Sequence, residues 1–172
     1  MFIIRKERLE DHEEIKELNN EAFGTENEAK LIEAIRSSTK FINELSLVAE
    51  TSSKEIIGHI LFSKITIETA NGAVDSLALA PMAVKPNFQN RGVGSSLVRE
   101  GLQRCKQLGY SSVIVLGHPS FYPKFGFVTA ASKGIRPPFK VSEEVFMVFE
   151  VKENALENVN GIVKYPEAFS NV

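Results

Sequence analysis

The chain reads as a mixed α/β fold in layers, with helices packed on a largely antiparallel sheet. Three features of the sequence lead there. Residues 76–116 run as strand, glycine turn, amphipathic helix and strand, a crossover expected to join two parallel strands. Residues 55–84 hold two strand-like runs on either side of Ala70-Asn71-Gly72, a turn signal of the hairpin type. Two short amphipathic helices precede these strands.

Each element has its own reason. Residues 2–5 are apolar and extended in character, a first strand. Residues 9–23 carry Ile15, Leu18 and Phe23 at helical spacing, with Asp11 placed to cap or complement the N-terminus. Gly24-Thr25 breaks that pattern. A second helix is expected over 27–36, with Leu31, Ile32 and Ile35 inward. Residues 45–50 form a strand, and Ser52-Ser53-Lys54 a turn. Residues 55–68 alternate through Ile60, Phe62, Ile65 and Ile67, the period of a half-buried strand. Residues 76–84 read as a buried strand, except that Pro81 removes a ladder N–H. A bulge or a splayed edge resolves this, and splaying leaves main-chain groups of residues 82–84 free to bind. In the helix that follows, Val93, Leu97, Val98, Leu102, Cys105 and Leu108 share one face, and Gly109 is a suitable residue to stop it. Residues 112–116 are a Val- and Ile-rich strand. Residues 117–124 form a Pro-bounded short helix or loop, and 125–129 and 145–151 two more strands. The tail, 154–172, offers Tyr165 and Phe169 as anchors and no regular pattern.

At 172 residues the chain is expected to be one domain, 1–172, with a core over 2–151 and an extension over 152–172. A formal net charge of −2 gives no basic surface for nucleic acid. The apolar stretch at the N-terminus is too short for a signal sequence, and no run is long enough for a membrane helix. The lone Cys105 excludes an internal disulfide framework. The expectation is a soluble, cytoplasmic protein. No histidine pair has metal-ligand spacing, so no metal is expected. Cys105 on an apolar helix face reads as a small buried hydrophobe rather than a nucleophile.

Residues 89–94 read Gln-Asn-Arg-Gly-Val-Gly between strand and helix. The first N–H groups of a helix lack internal partners and lie at the positive end of its dipole. Gly92 and Gly94 let a ligand approach that backbone because no Cβ intervenes. Strand, turn and helix thus form an anion cradle. A P-loop would need a lysine after Gly94, and none follows. A dinucleotide site would need a third glycine where Leu97 stands and an acid after Val115-Leu116-Gly117-His118, and both are lacking.

The same residues resemble the GNAT superfamily of N-acetyltransferases. Gln89 to Gly94 is similar to that family's [QR]-x-x-G-x-[GA] segment. Phe121-Tyr122-Pro123-Lys124-Phe125-Gly126-Phe127 resembles its Tyr-x-x-x-Gly-Phe stretch one strand later. Gly161, Val163, Tyr165 and Phe169 resemble the tail of a bacterial subgroup of predicted N-acetyltransferases. The resemblance implies the GNAT fold, a mixed and mostly antiparallel sheet with splayed central strands flanked by helices. It implies acetyl-CoA as cosubstrate and direct attack by a primary amine of a small molecule or peptide. Met82, Ala83 and Val84 would line the pantetheine arm. Gln89, Asn90, Arg91, Gly92, Val93, Gly94 and Ser95 would hold the pyrophosphate. The N–H of Ala83 or Val84 would face the oxyanion, and Tyr122 would be the general acid. Many members carry an Asn beyond the strand that ends at Leu116; here His118-Pro119-Ser120 stands instead, and Ser120 would substitute as the side-chain contact to the cofactor. Phe23, Glu26, Glu28, His118 and the 136–139 loop would wall the acceptor site. The general base is not assigned, a homodimer is left open, and the rival is a non-catalytic acyl-CoA-binding or regulatory domain of the same fold.

Overall fold

The computed structural model describes residues 1–170. Its strands are β1 (Phe2–Lys6), β2 (Phe41–Thr51), β3 (Ile56–Thr69), β4 (Gly72–Val84), β5 (Ser112–Leu116), β6 (Val128–Thr129), β7 (Ile135–Arg136), β8 (Phe146–Glu150) and β9 (Gly161–Lys164). The helices are α1 (His12–Phe23), α2 (Asn27–Arg36) and α3 (Val93–Gln107). The sheet order is β1-β2-β3-β4-β5-β8-β6, and β9 joins β3 and β7 off this path. All pairings are antiparallel except β4 with β5 and β7 with β9. The expected mixed, mostly antiparallel sheet with flanking helices is the observed architecture.

The hairpin of β3 and β4 turns on Ala70-Asn71, with Thr69 opposite Gly72. Strand β4 begins four residues earlier than its sequence pattern shows, because Gly72 to Asp75 pair fully while remaining solvent-facing. The register slips between Ile60 and Phe62 of β3, opposite Ala80-Pro81, and the Ala80–Pro81 peptide is cis. Both expected solutions to Pro81 are therefore present, a bulge toward β3 and a splay away from β5. The splay is sharp: β4 and β5 share only the pairs Leu77–Val113 and Ala78–Ile114 before they part.

Two layers cover the sheet. Helix α3 buries Val93, Leu97, Val98, Leu102 and Cys105 against Leu47, Ile57, Phe62 and Leu79. Leu108, expected on that face, is exposed beyond the helix end, where Gly109 adopts φ +85°. Cys105 is fully buried, and burial pushes its thiol up to about 12, consistent with a packing role. On the other face, α1 and α2 bury Ile15, Leu18, Leu31, Ile32 and Ile35 against Val48, Leu61 and Ala83.

Under α1 and α2 lies a polar cluster. Glu7 is buried and accepts two bonds from Arg36, at 2.9 and 2.8 Å, and one from Ser46 Oγ. His12 Nε2 lies 3.1 Å from Glu7, and His59 Nε2 lies 3.0 Å from Ser46 Oγ. Because Ser46 donates to Glu7, its oxygen accepts from His59, which fixes the Nε2–H tautomer and leaves Nδ1 buried and unpartnered. Burial raises the Glu7 pKa, but the bonds of His59, Arg36 and Ser46 outweigh it and hold the carboxyl far below the usual range. Asp11 does not cap α1; it takes 2.7 and 3.1 Å bonds from Arg5 and a 2.6 Å bond from the Arg8 N–H. Glu14 accepts the Ile56 N–H at 2.8 Å. These ties fix α1 and α2 over the sheet and so position one wall of the cleft.

Four short elements depart from expectation. Residues 125–129 form a strand only at β6, after a 3-10 turn at Tyr122–Phe125. Strand β7 and the tail strand β9 show no sequence pattern, since two and four residues cannot display a period. A 3-10 turn, Glu167–Phe169, ends the described tail.

Candidate active site

The parting of β4 and β5 opens a cleft of about 1580 Å³. One end is walled by Asn90, Gly92, Gly94 and Ser95, the middle by Met82, Val84, Gly117 and Tyr122, and the far end by Phe23, Glu28, Phe139, Tyr165 and Phe169. Strand register decides which main-chain groups face it. Lys85 N–H donates to the Ile57 carbonyl of β3 at 2.8 Å, and His59 lies opposite Ala83. In an antiparallel pair the groups of alternate residues point to the same side. The N–H groups of Lys85 and Ala83 therefore face β3, and those of Val84 and Met82 face the gap. The Val84 carbonyl agrees, for it turns outward and accepts the Gln89 side-chain amide at 3.1 Å. Of the two N–H groups considered for the oxyanion, Val84's is free and Ala83's is engaged in the sheet. Ala83 itself is buried beneath α1 and α2.

The turn into α3 is built by two left-handed residues, Asn90 at φ +63° and Gly92 at φ +84°. Gly92 is the N-cap, so the first amides of α3 point at the cleft without a capping side chain. A Cβ on Gly94 would stand 3.6 Å from Met82 Cε and Val84 Cγ2 and 3.7 Å from Phe121 Cζ. Gly94 is thus where α3, the free edge of β4 and the Phe121 loop converge. Arg91 is exposed and lies over the Phe88 ring at 5.7 Å, outside the cleft lining. Val93 is a core residue, so only its N–H is available to the turn.

Tyr122 is buried where the cleft narrows, its ring edge-on to Phe121 and Phe127 at 5.0 and 5.5 Å. Its position depends on Gly117 at the end of β5, where a Cβ would come 2.4 Å from Tyr122 Cε2. Burial pushes the Tyr122 phenol up to about 12, so the group is protonated throughout the neutral range. Lys124 stands over the Phe121 ring at 4.4 Å.

Twelve of the sixteen residues picked out from the sequence line one cleft: Phe23, Glu28, Met82, Val84, Gln89, Asn90, Gly92, Gly94, Ser95, His118, Ser120 and Tyr122. Ala83, Arg91, Val93 and Glu26 do not line it. Glu26 is exposed at the N-cap of α2, two residues and about half a turn before Glu28. Phe23, expected among the core contacts of α1, is 42% exposed and lines the cleft instead. The tail was the chief omission: Tyr165, Pro166 and Phe169 close the far end. The aromatic spacing of Tyr165 and Phe169 was the signal for it.

The cleft fits an extended phosphate-bearing ligand. It offers unpaired helix amides at one end and a free strand edge along its length. Comparison with known proteins agrees. A family model described as the Acetyltransferase (GNAT) domain matches residues 3–130. The chain is 33% identical over 169 residues to the uncharacterized N-acetyltransferase YhbS of Escherichia coli strain K12, covering 98% of this chain and 99% of the relative. It is 38% identical over 138 residues to YjhQ of the same strain, also an uncharacterized N-acetyltransferase, covering 78% and 74%. The crystal structure of E. coli YhbS in complex with CoA superposes with a TM-score of 0.91 at 32% identity, covering 98% of this chain and 92% of that one. A GNAT family acetyltransferase of Brucella melitensis in complex with acetyl-CoA gives 0.80 at 29% identity, covering 98% of each chain.

Proposed function

The chain belongs to the GNAT acetyltransferase family, and from that premise we propose that it transfers an acetyl group from acetyl-CoA to a primary amine. The observation that carries this reading is the gap-facing main chain of Met82 and Val84, lying between the amides of α3 and the buried phenol of Tyr122. Bound acetyl-CoA supplies the acyl group as a thioester. The N–H groups of residues 90–95 hold its diphosphate, and the edge of β4 pairs with the pantetheine arm as an added strand would.

The acceptor nitrogen attacks the thioester carbon; a C–N bond forms and the C–S bond breaks. The Val84 N–H stabilises the oxygen on which charge develops. The attacking amine loses its proton to water, and the departing sulfur receives one from Tyr122, which solvent restores. Burial keeps the Tyr122 phenol protonated through the neutral range, so a proton is at hand for the departing sulfur. We read the whole chain, 1–172, as one domain whose tail closes the acceptor end. A reducing, cytoplasmic setting goes with its lone thiol.

The test is Tyr122→Phe. Free-thiol release with an accepted amine should fall about 10²–10⁴-fold in kcat, the usual worth of general acid help. CoA affinity by calorimetry should change less than about twofold, since the phenol makes no contact with the diphosphate end in this reading. An unchanged kcat would remove Tyr122 from the chemistry. Tight CoA binding without thiol release across a broad amine panel would favour a sensor of the same fold.

A further inference from the structure

We propose that the acceptor is a monoamine carrying an aryl or comparably sized alkyl group, which sits in the aromatic end of the cleft while Glu28 draws in the ammonium that gives up its proton before attack. The proposal rests on the acetyl-transfer reading above and names its substrate class. Its basis is the far end of the cleft, which the C-terminal segment builds. Strand β9 is locked between β3 and β7, and this brings Tyr165 and Phe169 over the opening. Phe139 stacks on Tyr165 at 6.0 Å and 16°, and Tyr165 meets Phe169 at 4.9 Å. Phe169 packs against the α1/α2 cluster that holds Leu31, and Phe23 and Leu31 line the same cleft.

Phe23, Leu116 and Phe139 are 42%, 49% and 41% exposed, and all three line this cleft. Scattered exposed apolar residues need no explanation, but several converging on one concavity mark a ligand site. The walls are apolar and aromatic, which suits a ring.

Charge sets the other half of the specificity. Glu28 is the only carboxylate lining the cleft among the described residues. Thr25 Oγ1 holds its Oε1 at 3.1 Å and leaves Oε2 for a ligand. Lys124, the one lysine in the lining, stands over Phe121 toward the other end. Once the attacking nitrogen is neutral, Glu28 can pair one remaining ammonium at most. The further charges of spermidine or an aminoglycoside would be desolvated against rings with nothing to pair them.

The experiment is a thiol-release panel with 2-phenylethylamine, hexylamine, ethylamine, spermidine and kanamycin, joined by calorimetric binding of 2-phenylethylamine to the CoA-loaded protein. The expected kcat/KM for 2-phenylethylamine exceeds that for ethylamine by about tenfold or more, the effect of burying one ring. Spermidine and kanamycin should be poorer than either apolar amine. Phe139→Ala, at a position 41% exposed, should shrink the phenylethylamine-to-ethylamine ratio toward one. Glu28→Gln should raise KM for every amine and leave CoA affinity unchanged. Spermidine or kanamycin outpacing the apolar amines would overturn the proposal, as would a ratio that Phe139→Ala leaves intact. Saturable phenylethylamine binding without thiol release would support the pocket while sinking acetyl transfer, so the two failures are told apart.

Discussion

Replacing Gly92 with alanine should destabilise the free protein and weaken its hold on CoA, whereas the same change at Gly94 should stabilise the protein and spare CoA. At Gly94 the new methyl would meet Met82 Cε, Val84 Cγ2 and Phe121 Cζ at 3.6–3.7 Å, ordinary contact distances, and no left-handed backbone is needed. Alanine in place of glycine inside a helix gains about 0.5–1 kcal/mol, less in the first turn. For a chain this long that corresponds to a rise of roughly 1–3 °C in Tm. At Gly92, φ +84°, a side chain is strained and should lower the Tm of the free protein by the equivalent of about 1–2 kcal/mol. Relaxing that strain turns the first α3 amides away from the cleft. Losing one hydrogen bond from an amide to a charged phosphate costs about 2 kcal/mol, or roughly 30-fold in Kd. At a CoA concentration of 100 times the wild-type Kd, wild type gains about 2.7 kcal/mol from binding and the Gly92 variant about 0.9. Thermal melts with and without CoA, with calorimetric Kd values, read both effects. A Gly92→Ala protein that binds CoA within twofold of wild type would refute the placement of the diphosphate on the α3 amides.

Two further outcomes are expected. Gly117→Ala should mimic the loss of Tyr122, since the added Cβ would lie 2.4 Å from Tyr122 Cε2 and must push the ring away; steady-state kinetics should show a fall in kcat, with overpacking costing about 1–3 kcal/mol in denaturant melts. Acid should destabilise the fold in two stages. His59 has its pKa lowered chiefly by burial and Glu7 has its own held down by its partners, so both stabilise the fold above their unfolded values. That contribution is lost as pH falls below about 6.5 for His59 and below about 4.5 for Glu7. Glu7→Gln should flatten the lower stage of a Tm-against-pH curve, and an unchanged slope there would show that Glu7 is not the titrating group.

The sequence reveals the site's axis and hides its walls. Gly92, Gly94 and the misfit of Pro81 are local signals, each requiring only its neighbours to be interpreted. They locate both the turn and the splayed strand. The choice between the Ala83 and Val84 N–H groups is different in kind. It depends on the parity of the β3–β4 register, which one strand cannot disclose. Glu7 and His59 lie far apart in the chain and resemble ordinary helix-flanking charge and an isolated histidine, so their shared burial is visible only in three dimensions. Strand β9 is too short to show alternation, and with it the closure of the cleft by Tyr165 and Phe169 went unseen. Glu26 and Glu28 look interchangeable in sequence; the half turn of helix that separates them puts only Glu28 at the cleft.

The two register pairs between β4 and β5 are a narrow bridge between a large block of strands, β1 to β4, and a small one, β5, β8 and β6. Beyond those two pairs the blocks are joined by the packed side chains beneath α3 and by the Ser76–Ser112 hydrogen bond rather than by the ladder. In the proposed reading, a ligand lying along the open edge would act as mortar between them, so that loading the site would add to the stability of the fold.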